Sequence, residues 1–493
     1  MRTRVVIAGY GMAGARLAEE IRRRDPAGER VAIVAIGDEP HPPYNRVLLS
    51  NVLAGAMSAE SVRLQEEGWA VAHGVEVRRG REVVSIDRDG RRVSLDDGTL
   101  VGYDVLVLAT GARAWVPPVE GLIGDDGELA PGVATFRTLD DCAAIAAGAR
   151  GGVRVAVLGG GLLGLEAARG LAARGNAVTV VHPRAHLMER QLDHGAGQVL
   201  AQVLRGLGVR VLLNSRAARY LPGDGLKLDD GRLVEADLVV VAAGVRPQTA
   251  QAWAAGLDVE GGVLVDDDLR TSDPFIHAIG DCARHPGTVP GLVQPAWEQA
   301  AALAALLTGA RSPYRGTKVV TRLKASGVDL AALGDVHAAP DDPCAEVLWL
   351  SEPSRGRYAK LVVRDERVAG AIALGVPDAA AAITQFYDRG LPVPPDRLAL
   401  LLGRAMPYGE GAASDGGNPA GLPGTSVVCR CNAVSKDTLV AAWRSGARDL
   451  TALASATRAT TGCGTCTDTV CGIARWLAQS EKAQAAGTAH APS

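Results

Sequence analysis

Apolar residues in this chain come in short runs broken by glycine, and the runs recur in a fixed order. Val5-Val6-Ile7-Ala8 leads into Gly9-Tyr10-Gly11-Met12-Ala13-Gly14, after which Ala13, Leu17, Ala18 and Ile21 fall at helical spacing. Val155-Ala156-Val157-Leu158 leads in the same way into Gly159-Gly160-Gly161-Leu162-Leu163-Gly164 and a helix through Arg174. Each helix is followed by another β-branched run, Val31-Ala32-Ile33-Val34 in the first case and Val178-Thr179-Val180-Val181 in the second. Short continuous apolar runs read as strands buried on both faces, and the 3.6-residue repeat reads as helix. The pattern predicts two βαβ units.

Composition sets how much weight the glycines carry. With 60 Gly in 493 residues, a bare GxGxxG arises about once by chance, so the strand before and the helix after carry the reading. Missing side chains let a pyrophosphate approach the backbone N–H groups at a helix N-terminus. The residues after the second strand of each unit then choose the nucleotide. Asp38 and Glu39 suit a ribose 2′-OH. His182 and Arg184 stand in the second unit, where no acid is present; they suit NADPH or both nucleotides, unless His182 simply faces solvent.

Charge excludes some partners. The 52 basic and 55 acidic residues give a net charge of −3, which argues against a dedicated nucleic-acid binder. No apolar run approaches the roughly 18 residues that span a bilayer. The segment Met1-Arg2-Thr3-Arg4 before Val5 faintly imitates a signal peptide, but Gly9 and Gly11 break the apolar run. A cytoplasmic protein with no membrane or nucleic-acid partner is expected.

Further segments fix a family. Residues 104–108 form a strand ending in Ala109-Thr110-Gly111, and Leu238-Val239-Val240-Val241 ends in Ala242-Ala243-Gly244-Val245-Arg246-Pro247. Then comes Thr271-Ser272-Asp273-Pro274-Phe275-Ile276-His277-Ala278-Ile279-Gly280-Asp281. In this order the motifs resemble the FAD/NAD-linked reductases built like glutathione reductase, over residues 1 to about 400. The resemblance implies that Gly9, Gly11, Met12, Ala13 and Gly14 hold the FAD pyrophosphate and that Asp281, after Gly280, meets the ribitol. It implies FAD contacts for Asp38, Glu39, Val83, Ala109, Thr110 and Gly111. It places NAD(P)H against Gly159, Gly161, Leu162, Leu163, Gly164, Glu166, His182, Arg184 and Gly244. Glu166 reads equally as an acid near the nicotinamide or as a first-turn Glu favoured by the helix dipole.

The branch of the family follows from its cysteines. No CxxxxC or CxxC pair stands in either unit; Cys142 is alone and Cys282 reads as a small buried residue. Residues 43–50, Pro-Tyr-Asn-Arg-Val-Leu-Leu-Ser, instead resemble ferredoxin-reductase-like and nitrite-reductase-like flavoproteins, whose Arg at Arg46 contacts the FAD phosphates. Many relatives carry Lys where Asn51 stands. Residues 292–300 resemble the helix that opens near the flavin ring in those proteins, which gives Trp297 an FAD contact. Lys324 resembles a family position near the flavin, although a solvated lysine is the commoner case.

Five of the eight cysteines crowd after residue 428. Cys429 and Cys431 form CxC, and Cys463 and Cys466 form CxxC. Four thiolates on short turns hold zinc or an iron–sulfur cluster. The flavoprotein upstream favours the cluster, and the segment resembles the bacterioferritin-associated-ferredoxin-like [2Fe–2S] domain, which implies those four as ligands and leaves Cys471 inside the final helix. Ser435 reads as the N-cap of a helix through Trp443, and a second helix spans residues 450–457.

The expected fold is α/β: two Rossmann-like nucleotide-binding domains, an α+β interface domain and a small helical [2Fe–2S] domain. The FAD domain covers residues 1–115 and 244–316, the NAD(P)H domain 116–243 and the interface domain 317–404. A Gly/Pro-rich linker at 405–425, free to let the small domain move, leads to the cluster domain at 426–479 and a disordered tail at 480–493. The combination resembles the N-terminal half of NAD(P)H-dependent nitrite reductases and the electron-transfer subunits of assimilatory nitrate reductases. Nitrite reductases continue into a sirohaem domain, which is not expected here. The resemblance therefore implies electron passage from NAD(P)H to FAD to [2Fe–2S] and on to a separate molybdenum-containing nitrate reductase catalytic subunit. A freestanding NAD(P)H:ferredoxin or rubredoxin reductase, or an electron-input component of a nitrite reductase, is the alternative. No side chain is expected to act as a catalytic acid or base.

Overall fold

A computed structural model describes residues 2–287, 289, 291–405, 422–462, 464 and 466–488, with side chains described through residue 481. Two parallel five-stranded sheets form the centre. The first runs Ile276–Ala278, Val105–Leu108, Thr3–Ala8, Val31–Gly37, Val75–Arg79. The second runs Arg210–Leu212, Ala177–Val181, Arg154–Leu158, Leu238–Val241, Val133–Thr135. Val5, Val6, Ile7, Val157 and Val240 are fully buried, as expected of strands covered on both faces. The first sheet closes only when Ile276–Ala278 pairs with Leu106–Leu108, so the second sheet is inserted within the first.

Helices follow both glycine loops, Met12–Arg24 in one unit and Leu162–Ala173 in the other. The first packs against the long helix Val293–Leu307. A third, antiparallel sheet runs Val320–Arg322, Leu330–Gly334, Arg367–Leu374, Arg357–Arg364, Glu346–Glu352, covered by the helix Pro377–Arg389. Among the described residues no helix is long and apolar enough to cross a membrane.

The cysteine-bearing segment forms a ribbon, Val427–Cys429 against Val434–Ser435, and three helices: Lys436–Arg444, Leu450–Thr457 and Thr467–Thr488. The Ser435 hydroxyl accepts from the Thr438 N–H as an N-cap. The final helix continues to Thr488, past the point where a disordered tail was expected. Its sequence there is rich in Ala, Gln, Glu and Lys, all strong helix formers. Residues 406–421, the greater part of the expected linker, lie outside the described residues.

Candidate functional site

A cavity of about 650 Å³ opens where the strand ends of the first sheet meet the second unit, the third sheet and the cysteine segment. Its floor is the first glycine loop. Gly9 has φ +109°, and a Cβ there would overlap the Ala109 carbonyl oxygen. A Cβ on Gly14 would overlap the Gly9 oxygen, so Gly14 serves the close packing of helix on strand and does not line the cavity. Gly11 is the N-cap and offers no side-chain acceptor, which leaves the first-turn N–H groups at Met12 and Ala13 facing open space. A helix N-terminus so exposed is an anion site.

Asp38 and Glu39 leave the second strand on one side of the cavity, and Ala109, Thr110, Gly111, Gly280 and Asp281 border it on the other. Glu39 is held by an ion pair with Arg46 and by the Tyr44 hydroxyl at 2.5 Å. The Arg46 guanidinium lies 5.2 Å from the Tyr44 ring centre. Asp281 pairs with Arg137 at 2.7 Å. Sequence reasoning did not single out Arg137, nor Gln248 and Arg322, which also line the cavity. Their spacing from the glycine motifs carries no local signal.

The second glycine loop repeats the first: Gly159 has φ +119°, a Cβ on it would overlap the Ala242 oxygen, and one on Gly164 would overlap the Gly159 oxygen. Leu162, Leu163 and Glu166 of its helix border the same cavity as Gly9, whereas Gly159, Gly161, Gly164 and Gly244 lie outside its lining. His182 does not face solvent. It is buried, its Nδ1 accepts the Gly160 N–H at 3.1 Å, and its Nε2 lies 3.0 Å from the His186 oxygen. Burial pushes its pKa down. Both ring nitrogens are thus committed to holding the loop. Arg184 is exposed beside it.

Lys324 is not a solvated lysine. It borders the cavity, its ammonium donates to the Val47 oxygen at 3.3 Å, and its backbone N–H donates to Glu166 at 3.0 Å. Burial raises the Glu166 pKa, and the Lys324 charge opposes that rise. The folded chain therefore keeps a proton that the unfolded chain gives up first. This contribution to stability is full below the ordinary carboxylate range and is lost as pH rises through the folded value. Glu166→Gln cannot ionise. Its melting temperature is expected to match the wild type near about pH 4 and to exceed it increasingly toward about pH 8. A constant difference across that range, measured by calorimetry, contradicts the assignment.

Val83 is buried in the strand Val83–Asp87, paired with Leu95, and does not line the cavity. Nor does Trp297. Pro295 and Ala296 face the cavity, but the next residue, about 100° further round the helix, turns into the cysteine segment. The ring for which an FAD contact was expected thus packs among the cysteines.

Cys429, Cys431 and Cys466 are buried together in one apolar cluster. Hydrogen bonding from Cys466 draws the pKa of the Cys429 thiol down, against burial, which would raise it. The Asn432 amide donates to Cys429 Sγ at 3.7 Å. Cys463, the fourth expected ligand, lies outside the described residues. Cys471 is half-buried within the final helix, and Cys282 is fully buried, its thiol 3.3 Å from the Ile279 oxygen. Cys431 and Arg430 line the same cavity as the first glycine loop.

The cysteine segment is anchored there. Asn45 donates to the Thr461 and Gly462 oxygens at 2.8 and 2.5 Å. Arg16 donates to Asn432 at 3.0 Å, Arg458 pairs with Glu19 and Glu20, and Arg430 pairs with Asp388.

Comparisons with known proteins agree with this layout. Residues 3–300 match the family model for pyridine nucleotide-disulphide oxidoreductases. Residues 320–386 match the rubredoxin NAD+ reductase C-terminal domain, and residues 427–475 match the BFD-like [2Fe–2S] binding domain. The chain is 34% identical to the nitrite reductase [NAD(P)H] of Bacillus subtilis (strain 168), covering 94% of this chain and 56% of that one. It is 33% identical to the assimilatory nitrate reductase electron transfer subunit of the same organism, covering 99% of this chain and 61% of that one. The chain thus spans little more than half the length of these relatives. Among solved structures, the covalent putidaredoxin reductase–putidaredoxin complex superposes with a TM-score of 0.72 at 28% identity, covering 80% of this chain and 95% of that one. With its glycine loops, its strand order and the family match over residues 3–300, the chain belongs to the pyridine nucleotide-disulphide oxidoreductase family and joins that fold to a BFD-like [2Fe–2S] binding domain.

Proposed function

We propose that this chain is an NAD(P)H-oxidising electron-transfer flavoprotein of the cytoplasm that serves a separate assimilatory nitrate reductase catalytic subunit, a molybdenum enzyme. The observation that carries the reading is that Cys431 borders the same cavity as Gly11 and Asp281. The relative named an assimilatory nitrate reductase electron transfer subunit aligns over 99% of this chain, which supports the choice of partner.

The residues present fit the groups the family implies. The first glycine loop leaves the Met12 and Ala13 N–H groups open toward the cavity with no side-chain cap, and three buried cysteines form a soft donor set. Gly9, Gly11, Met12 and Ala13 would hold the FAD pyrophosphate, with Asp38 and Glu39 on the ribose side. Arg46, Thr110, Gly111 and Asp281 would close around the rest. Gly159, Gly161 and Gly164 would hold NAD(P)H, and Cys429, Cys431, Cys463 and Cys466 the cluster. We assign residues 1–115 and 244–316 to FAD, 116–243 to NAD(P)H and 426–479 to the cluster. When bound, FAD accepts an electron pair as hydride and a [2Fe–2S] cluster passes electrons singly. The chain itself orients and shields: Leu162, Leu163, Pro295 and Val320 wall the cavity with apolar surface, and Glu166 and Lys324 fix each other across the join between the second unit and the third sheet.

Purified protein is expected to show flavin bands with [2Fe–2S] absorption, about two irons per chain, and NAD(P)H-dependent nitrate reduction only with the catalytic subunit added. Zinc without iron in anaerobically prepared protein overturns the cluster assignment. A second reading, a freestanding ferredoxin or rubredoxin reductase, is favoured by the match at residues 320–386. It predicts rapid reduction of those small acceptors.

A further inference from the structure

The core of the cysteine segment is completed from outside it. Trp297 is buried in one cluster with Cys429, Cys431, Leu439, Trp443 and Ile473, yet it belongs to the helix Val293–Leu307 of the flavin half. Among the described residues it is the one fully buried member of that cluster that precedes residue 422. Its indole N–H donates to the Met12 oxygen at 3.2 Å, and Met12 faces the cavity. On its other side, a Cβ on Gly462 would stand 3.0 Å from the Trp297 ring and 2.6 Å from Cys431 Cβ. Gly462 is therefore a spacer of minimal thickness between the indole and the cysteine. Arg16 covers the ring at 5.0 Å and donates onward to Asn432.

An aromatic ring with a polar handle suits such a joint. Its large apolar surface is buried on one partner while its N–H is fixed to the other. The spacing it sets matters because electron transfer through protein falls off exponentially with distance.

We propose that Trp297 is the positioning residue that seats the cysteine loop at the flavin cavity, so that electrons reach the cysteine segment from a fixed dock and not during excursions of that segment. This rests on the electron-transfer reading above. It departs from the expectation that the Gly/Pro-rich stretch lets the small domain travel.

The test uses the holoprotein. Bleaching of the cluster absorbance after mixing with NAD(P)H is followed by stopped flow and normalised to bound flavin. Trp297→Ala is expected to slow it tenfold or more while iron content and the cluster's EPR signal stay as in the wild type. Trp297→Phe, which keeps the ring but loses the N–H, is expected to recover at least half the rate. Hydrogen exchange is expected to quicken in residues 427–435 of the Ala variant. Should that variant not accumulate, Trp297→Leu carries the same comparison. Cross-linking Glu19→Cys to Arg458→Cys with a short bis-maleimide locks the dock and is expected to leave the rate within twofold of wild type. A wild-type rate in Trp297→Ala, or loss of transfer on cross-linking, overturns the proposal. A wild-type protein without iron, or inert to NAD(P)H, instead overturns the underlying functional reading, and hydrogen exchange in the Trp297 variants still reports on the dock.

Discussion

Replacing Cys431 by serine is expected to cut delivery to a physiological acceptor by roughly 100-fold or more while NAD(P)H-dependent reduction of a small dye is retained. The asymmetry follows from geometry. Cys431 is buried, faces the same cavity as the first glycine loop and packs on Gly462. A serine oxygen is a poor ligand where three soft donors converge, so iron content is expected to fall with the activity. Dye reduction is expected to depend on the two glycine loops, which lie in other elements. Steady-state assays with a dye and with the catalytic subunit, run beside iron analysis, separate the two. Nitrate reduction that survives the change contradicts the electron path.

The second large effect is expected at Gly9. Alanine there meets two obstacles: a φ of +109° that side chains rarely adopt, and overlap of its Cβ with the Ala109 carbonyl. Strain and forced displacement together cost on the order of 4 kcal/mol. The Val5–Ala8 strand cannot yield, because its ladders to Val31–Ile36 and Val105–Leu108 pair it on both sides. The loop must move instead, and the N–H groups at Met12 and Ala13 move with it. Gly9→Ala is expected to purify without flavin and to melt well below the wild type. Stoichiometric flavin in the isolated variant contradicts the role given to this loop.

Local physics made part of this molecule readable from its residues. The glycine loops were legible because close backbone approach and positive φ exclude other residues, and the flanking strands because β-branched runs buried on both faces are continuous. The Ser435 cap and the Leu450–Thr457 helix were legible for the same local reasons. What depends on a distant partner was not. Trp297 follows two residues that face the cavity, and only the packed cysteine segment shows where its ring goes. Lys324 looked solvent-bound because its partner, Val47, lies far away in sequence. Arg137 meets Asp281 across 144 positions. The antiparallel strands Val83–Asp87 and Arg92–Leu95 were not read as strands, because runs of 5 and 4 residues carry too few positions to show a period.

The insertion of one sheet within the other sets a schedule for biosynthesis. The strand Ile276–Ala278 pairs with a strand translated some 170 residues earlier. At 5–20 residues per second the nascent first sheet waits roughly 10–30 s for that edge, long enough for the inserted sheet to fold first. The cysteine segment, translated after Trp297, finds its indole already in place. Closure of that core is thereby tied to a helix translated well before its cysteines.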